Sequence, residues 1–414
     1  MTKDRAPKFF YGYTVAASAF FIQMLGTGAY ITYGVFFSSF LADFAWSRAV
    51  ISGASSLHFF MFGLLGILTG RLNDKIGPRI VMTICGIFLG LGYILMSQIQ
   101  FVWQLYLFYG LIVAIGFSAL DVTSLSTIAR WFARKRGMMS GIIKVGAGVG
   151  MLLMPLIINW LISNYDWRTS YIIMGIAVLS FVLVASQFLK RDPSKLGLLP
   201  DDDKTIDVSQ SSSEESGLSI NKAVRTRQFW MLCVMSWSFG FCLQTVLVHS
   251  APYAVDIGAS LSTAASILSI VGGASIAGRF IMGIASDKIG NKRSYIICYS
   301  CLAAAFIFIL TIHEPWALYL YGAVYGFGHG GLWVLLSPMV AELFGIASHG
   351  ALFGVVYFVI TLGGTLGPLL AGYIFDITGS YQVIFSTCFV LSVIAILLAT
   401  CLTPTTYTET QSSS

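Results

Sequence analysis

Three charged residues, Asp121, Lys144 and Arg279, each lie inside a long apolar run, and His329 lies inside another. A charge near the middle of a lipid bilayer costs about 2.5–3.5 kcal/mol, so each needs a reason to be there. Arg279 is the most informative. A guanidinium stays protonated, and its planar fork matches the two oxygens of a carboxylate. Arg279 precedes Asp287 by eight residues, which is about 12 Å of helix and close to the midplane of a core about 30 Å thick. An organic anion crossing a membrane would bind at that depth.

Lys144 follows Gly137 by seven residues, and Asp121 precedes Arg130 by nine. These spacings put them about 10 Å and 13 Å into consecutive antiparallel helices, within reach of an ion pair. Two readings stay open. The pair is static and cancels its own burial cost, or Asp121 takes up a proton and frees Lys144 toward an anion, or the reverse. Tyr325, His329 and Trp333 share one helix face at i, i+4, i+8 spacing. With Tyr30, Tyr33 and Tyr357 they complete a candidate substrate-binding set around Arg279 and Lys144. His249 and Asp256, near the outer end of their span, join Asp121 as proton-coupling candidates. Phosphate loop, nucleophile elbow, haem pair and metal cluster are all missing from the sequence, so no enzyme, catalytic residue, cofactor or metal is expected.

The elements that must position these groups follow from composition. Of the 414 residues, 57% are hydrophobic and 10% charged, against about 25% charged in a soluble domain. Mean hydropathy is +0.81. Apolar surface on that scale must face lipid, and the runs are too long and too continuous for a barrel or a surface anchor. Runs of about twenty residues give twelve candidate spans, at 10–40, 48–70, 80–98, 103–130, 138–163, 168–189, 228–254, 262–284, 295–312, 316–344, 350–375 and 380–402. The polar stretch 190–226, with Asp201 to Asp203, Ser211 to Ser213, Glu214 and Glu215, reads as a linker. It separates residues 1–189 from residues 227–414, six spans each. Twenty of the 24 Lys and Arg residues fall in the amino terminus or after even-numbered spans. That bias explains the net charge of +6 without nucleic acid and places both termini in the cytoplasm.

The halves repeat at one offset of 213 positions. Gly70-x-x-x-Asp74-Lys75-x-Gly77-x-Arg79 recurs as Gly283-x-x-x-Asp287-Lys288-x-Gly290-x-Lys292, and Gly137, Gly141, Gly150 and Pro155 recur as Gly350, Gly354, Gly363 and Pro368. Twelve spans in two halves with this paired loop motif resemble the major facilitator superfamily. Between the fourth and fifth spans, Trp131-Phe132-Ala133-Arg134-Lys135-Arg136-Gly137 is similar to a signature of the monocarboxylate porters, which are related to oxalate/formate exchangers. Tyr11-Gly12-Tyr13, the run Arg191-Asp192-Pro193 to Pro200-Asp201, His249 through Asp256-x-Gly258, and Gly278-Arg279 extend that match.

The resemblance implies an all-α fold of two pseudo-symmetric six-helix bundles rocking about a central site. It implies that Arg279 meets the substrate anion, and that Asp74, Arg79, Asp287 and Lys292 latch one conformation. Animal members of the family resemble one another in a first-span lysine and an acidic residue four before the arginine. Here the first span has no Lys or Arg, and Ser275 holds the other place, so proton coupling falls to other groups. The expected function is symport of a small monocarboxylate (lactate- or pyruvate-like) with a proton. The alternative is exchange of a dicarboxylate such as oxalate for formate, with Lys144 as second cation. Partners are the anion, the proton and the bilayer, with the protein working as a monomer. The expected location is a bacterial-type cytoplasmic (inner) membrane or a plasma membrane.

Overall fold

In a computed structural model the described residues are 10–44, 46, 48–202, 217–258, 261–311 and 316–403. Ser211 to Ser213, Glu214 and Glu215 lie outside them, as do both chain ends. Lipid offers no hydrogen bonds to a backbone, so apolar runs of this length close their own as helices. Among the described residues, twelve helices are long and apolar enough to cross a membrane.

We number them α1 (Tyr11–Ile31, resuming after Thr32 as Tyr33–Asp43), α2 (Arg48–Ile76), α3 (Pro78–Met96), α4 (Val102–Trp131), α5 (Arg136–Asn164) and α6 (Trp167–Gln187). The second half holds α7 (Arg227–Asp256), α8 (Leu261–Ile289), α9 (Asn291–Thr311), α10 (Ala317–Phe344), α11 (His349–Thr378) and α12 (Gln382–Cys401). The sequence offset survives in the fold, since adding 213 to the bounds of α2 gives those of α8.

Packing repeats as well. In the first half α1 lies along α5 and α3 along α6, and in the second α7 lies along α11 and α9 along α12. Two seams join the halves, α2 against α11 and α5 against α8. The Asp-Lys motifs differ from the loop placement expected above. Asp74 and Asp287 lie in the last turn of α2 and α8, and the turns themselves are single glycines, Gly77 at φ +90° and Gly290 at φ +87°.

Small residues set the depth of the seams. A side chain on Gly70 would run into the carbonyl of Gly350, and one on Gly350 would meet the Asp74 carboxylate at 2.9 Å. Gly137 and Gly283 bear the same relation across the other seam. Backbones this close exclude any Cβ. Gly70→Leu should therefore keep the α2–α11 seam from closing. In purified protein carrying Cys401→Ser, a cysteine placed at Ala347 should then react several-fold faster with a bulky maleimide. An unchanged rate would contradict this packing.

Candidate functional site

Three charged residues of the spans come together. Asp121 on α4 is 8% exposed, Lys144 on α5 5% and Arg279 on α8 6%. Lys144 Nζ forms an ion pair with Asp121 Oδ1. The same oxygen accepts a hydrogen bond from Gln23 Nε2 on α1 at 2.7 Å, while Oδ2 accepts from the Tyr357 hydroxyl on α11. Asp121 is thus held by both halves of the protein. A carboxylate taken out of water needs this many donors to stay charged.

Arg279 is held differently. Its Nη1 donates to the Lys144 carbonyl at 3.1 Å, and its Nε is buried with no partner. No carboxylate lies within ion-pair distance of it among the described residues. Lys144 Nζ also stands 4.9 Å from the centre of the Trp333 ring on α10, a cation–π contact. Trp333 in turn donates its indole N–H to His329 Nε2 at 2.9 Å and stacks obliquely on Tyr357 at 5.8 Å. The centre therefore holds two cations and one anion, and its walls are polar aromatics.

The remaining candidates lie elsewhere. Tyr325 is fully buried within its own half and donates to the Cys242 carbonyl at 3.3 Å. Tyr33 donates to the Ile51 carbonyl at 2.8 Å and stacks on Tyr109. Tyr30 is half-buried against His58 and Phe117, one ring away from Tyr357 through Phe62. His249 bridges the Pro368 carbonyl and the Tyr381 hydroxyl, well along α7 from the basic face. The side chain of Asp256 lies outside the described residues. Gln23 went unnoticed in the sequence; its only signal there is a lone amide in an apolar run.

At the basic end, each seam closes with a carboxylate on a helix N-terminus. Asp74 accepts the N–H groups of Gly350 (3.1 Å) and Ala351 (2.9 Å), which open α11. Asp287 accepts those of Gly137 and Met138, both at 2.7 Å, which open α5. The donors are related by the same 213 positions as the carboxylates. Each satisfies two orphan N–H groups and faces the positive end of a helix dipole. Asp74 has in addition an ion pair with Arg130 at 3.3 Å, while Asp287 feels the charge of Arg136. Arg79 instead donates to Gln187, and Lys292 to the Leu402 carbonyl.

A sequence model described as Major Facilitator Superfamily matches residues 17–283 and 247–414. The chain belongs to the Major Facilitator Superfamily. Its similarity to bovine monocarboxylate transporter 13 is 27% identity, covering 91% of this chain and 85% of that one. Rat monocarboxylate transporter 12 is 24% identical, over 91% and 82%. These relatives bear out the family resemblance read from the Trp131 to Gly137 signature. The E. coli fucose:proton symporter FucP shares the fold at TM-score 0.75 and 14% identity, covering 96% of this chain and all of that one. The protein is a multi-pass membrane transporter and not an enzyme.

The buried pair makes a stability prediction. Lys144→Ala leaves Asp121 charged with its cation gone, which should cost about 3–5 kcal/mol. Lys144→Ala combined with Asp121→Ala should recover most of that loss. Thermal unfolding of the purified variants reads the difference, and a single variant as stable as the wild type would contradict the pairing.

Proposed function

We propose that this transporter carries a small monocarboxylate of the lactate or pyruvate type together with a proton, by alternating access between its two halves. The observation that carries the proposal is the odd charge at the centre. Asp121 answers Lys144 and leaves Arg279 with one carbonyl contact and an unpartnered Nε. A single carboxylate supplies what is missing, in a geometry that guanidinium recognises. The names of the curated relatives support the same substrate class. Exchange of a dicarboxylate would call for a second cation, and Lys144 is engaged by Asp121, so the single carboxylate fits better.

Proton coupling follows from what Asp121 touches. A proton on Asp121 would release Lys144 toward the incoming anion and weaken the bond to Tyr357 that ties the halves together. Anion and proton would then load as a neutral pair. Asp74 and Asp287 would hold the basic face shut while the opposite face exchanges substrate. On the Lys and Arg bias that closed face and both termini are cytoplasmic, in a cytoplasmic or plasma membrane, and the unit of transport is the monomer.

Arg279→Lys keeps the charge and loses the fork. Uptake of labelled lactate should fall about 30- to 150-fold, the weight of a charge-assisted hydrogen bond of roughly 2–3 kcal/mol. Arg279→Ala should abolish uptake with the protein still in the membrane. Normal flux through either variant would remove the assignment. For Asp121→Asn, an inward proton gradient should no longer stimulate uptake. Undiminished stimulation would exclude Asp121 as the proton carrier.

A further inference from the structure

The run from Arg191-Asp192-Pro193 to Pro200-Asp201 takes no part in the transport site, yet it is bound to Arg130 of the first latch and to the loop that leads into the second. The Trp131 indole donates to the Lys190 carbonyl at 2.7 Å, fixing the run under the end of α4. Asp192 Oδ1 takes Arg130 Nη1 at 3.4 Å. The other arm of that guanidinium, Nη2, reaches Asp74 at 3.3 Å and the Ile346 carbonyl at 2.8 Å. One arginine, 6% exposed, thus joins the run, the first latch and the loop of the opposite half.

Asp201 holds the loop beside the second latch. Its Oδ2 accepts the N–H groups of Ala133 (2.8 Å) and Arg134 (2.5 Å). Four positions further on, Gly137 and Met138 give theirs to Asp287 of the other half. The α4–α5 loop is therefore gripped by a carboxylate on each side. Asp201 reaches it in the left-handed region, at φ +58°, and is the one non-glycine residue there among those described. Such a conformation persists only where its surroundings demand it. The far end of the linker docks on the equivalent loop of the second half. Gly217 pairs with Gly345, Leu218 N–H donates to the Phe344 carbonyl at 2.9 Å, and 213 positions separate Phe132 from Gly345.

We propose that Asp192 and Asp201 are positioning residues of the conformational step. They hold Arg130 and the approach to α5 in place, so that the two latches close together. The inference goes beyond the transport reading and needs no particular substrate. Opening the basic face pulls Asp74 from α11 and Asp287 from α5. With Asp192 and Asp201 in place, Arg130 and the loop stay presented for reclosure, and without them the closed state is disfavoured.

The test uses the full-length protein in lipid nanodiscs, spin-labelled at Arg71→Cys and Glu342→Cys with Cys401→Ser, and no substrate. Pulsed electron–electron resonance then reads the distance across the basic face. Asp201→Gly suits the left-handed turn and removes only the carboxylate. It should raise the long-distance fraction about fivefold, the weight of one ordinary hydrogen bond. Asp192→Asn should move the same distribution in the same direction. Asp201→Asn, which keeps an acceptor oxygen and tolerates the turn, should stay near the wild type. A folded Asp201→Gly protein with the wild-type distribution would overturn the proposal, as would a lowered melting temperature with no change in distance. Failure of the wild type to carry lactate would count against the transport reading and leave this result standing.

Discussion

Three charges in a medium that cannot solvate them do not balance, and much of the molecule is arranged around that fact. Lys144 and Asp121 cancel one another, with Gln23 and Tyr357 supplying further donors to the carboxylate. Arg279 is left over. A buried guanidinium with a carbonyl for its one hydrogen-bond partner among the described residues would be costly in a purely structural role. Its cost is consistent with a carrier that spends part of its cycle with an anion bound. Helices are required by the same medium, and the glycines that let α2 meet α11 and α5 meet α8 bring the charges into one place.

Charge and movement meet at the same seams. Halfway along, Tyr357 to Asp121, Trp333 to Lys144 and Arg279 to the Lys144 carbonyl all join one half to the other. At the basic end, Asp74 and Asp287 do so again. A proton or anion arriving at the centre acts on contacts that a rocking motion must break. The twofold repeat is also broken where chemistry requires it. Lys144 has Tyr357 as its equivalent, which turns a would-be pair of cations into a cation and a hydroxyl on one carboxylate. Arg130 has Leu343, so one latch carries the Arg130 ion pair, and the other rests on backbone donors, the helix dipole and the nearby charge of Arg136.

Much of this could be read from residues alone, for identifiable reasons. Lipid forces long apolar runs into helices, so span number and pairing followed from composition and from the offset of 213. Intramembrane charge is expensive, so Asp121, Lys144 and Arg279 stood out, and equal depth on adjacent helices pointed to the pair the structure contains. What stayed hidden depends on direction about a helix axis. Aromatic and apolar residues are spread round most of α10, so spacing could not say that Trp333 faces Lys144 while Tyr325 turns inward to Cys242. Latch partners were hidden too, because the groups that receive Asp74 and Asp287 are backbone N–H donors, which every residue but proline possesses. Arg79 and Lys292 drew notice as cations, whereas Arg130, the arginine that reaches Asp74, looked like one more loop charge.

The central claim is that the unanswered cation at the centre takes one carboxylate, accompanied by a proton. Uptake of labelled lactate into proteoliposomes, with the membrane potential clamped and an inward proton gradient either imposed or absent, tests it most directly. The account predicts accumulation above equilibrium with the gradient and equilibration without it. No lactate flux under either condition, with exchange once oxalate or formate is loaded inside, would contradict it.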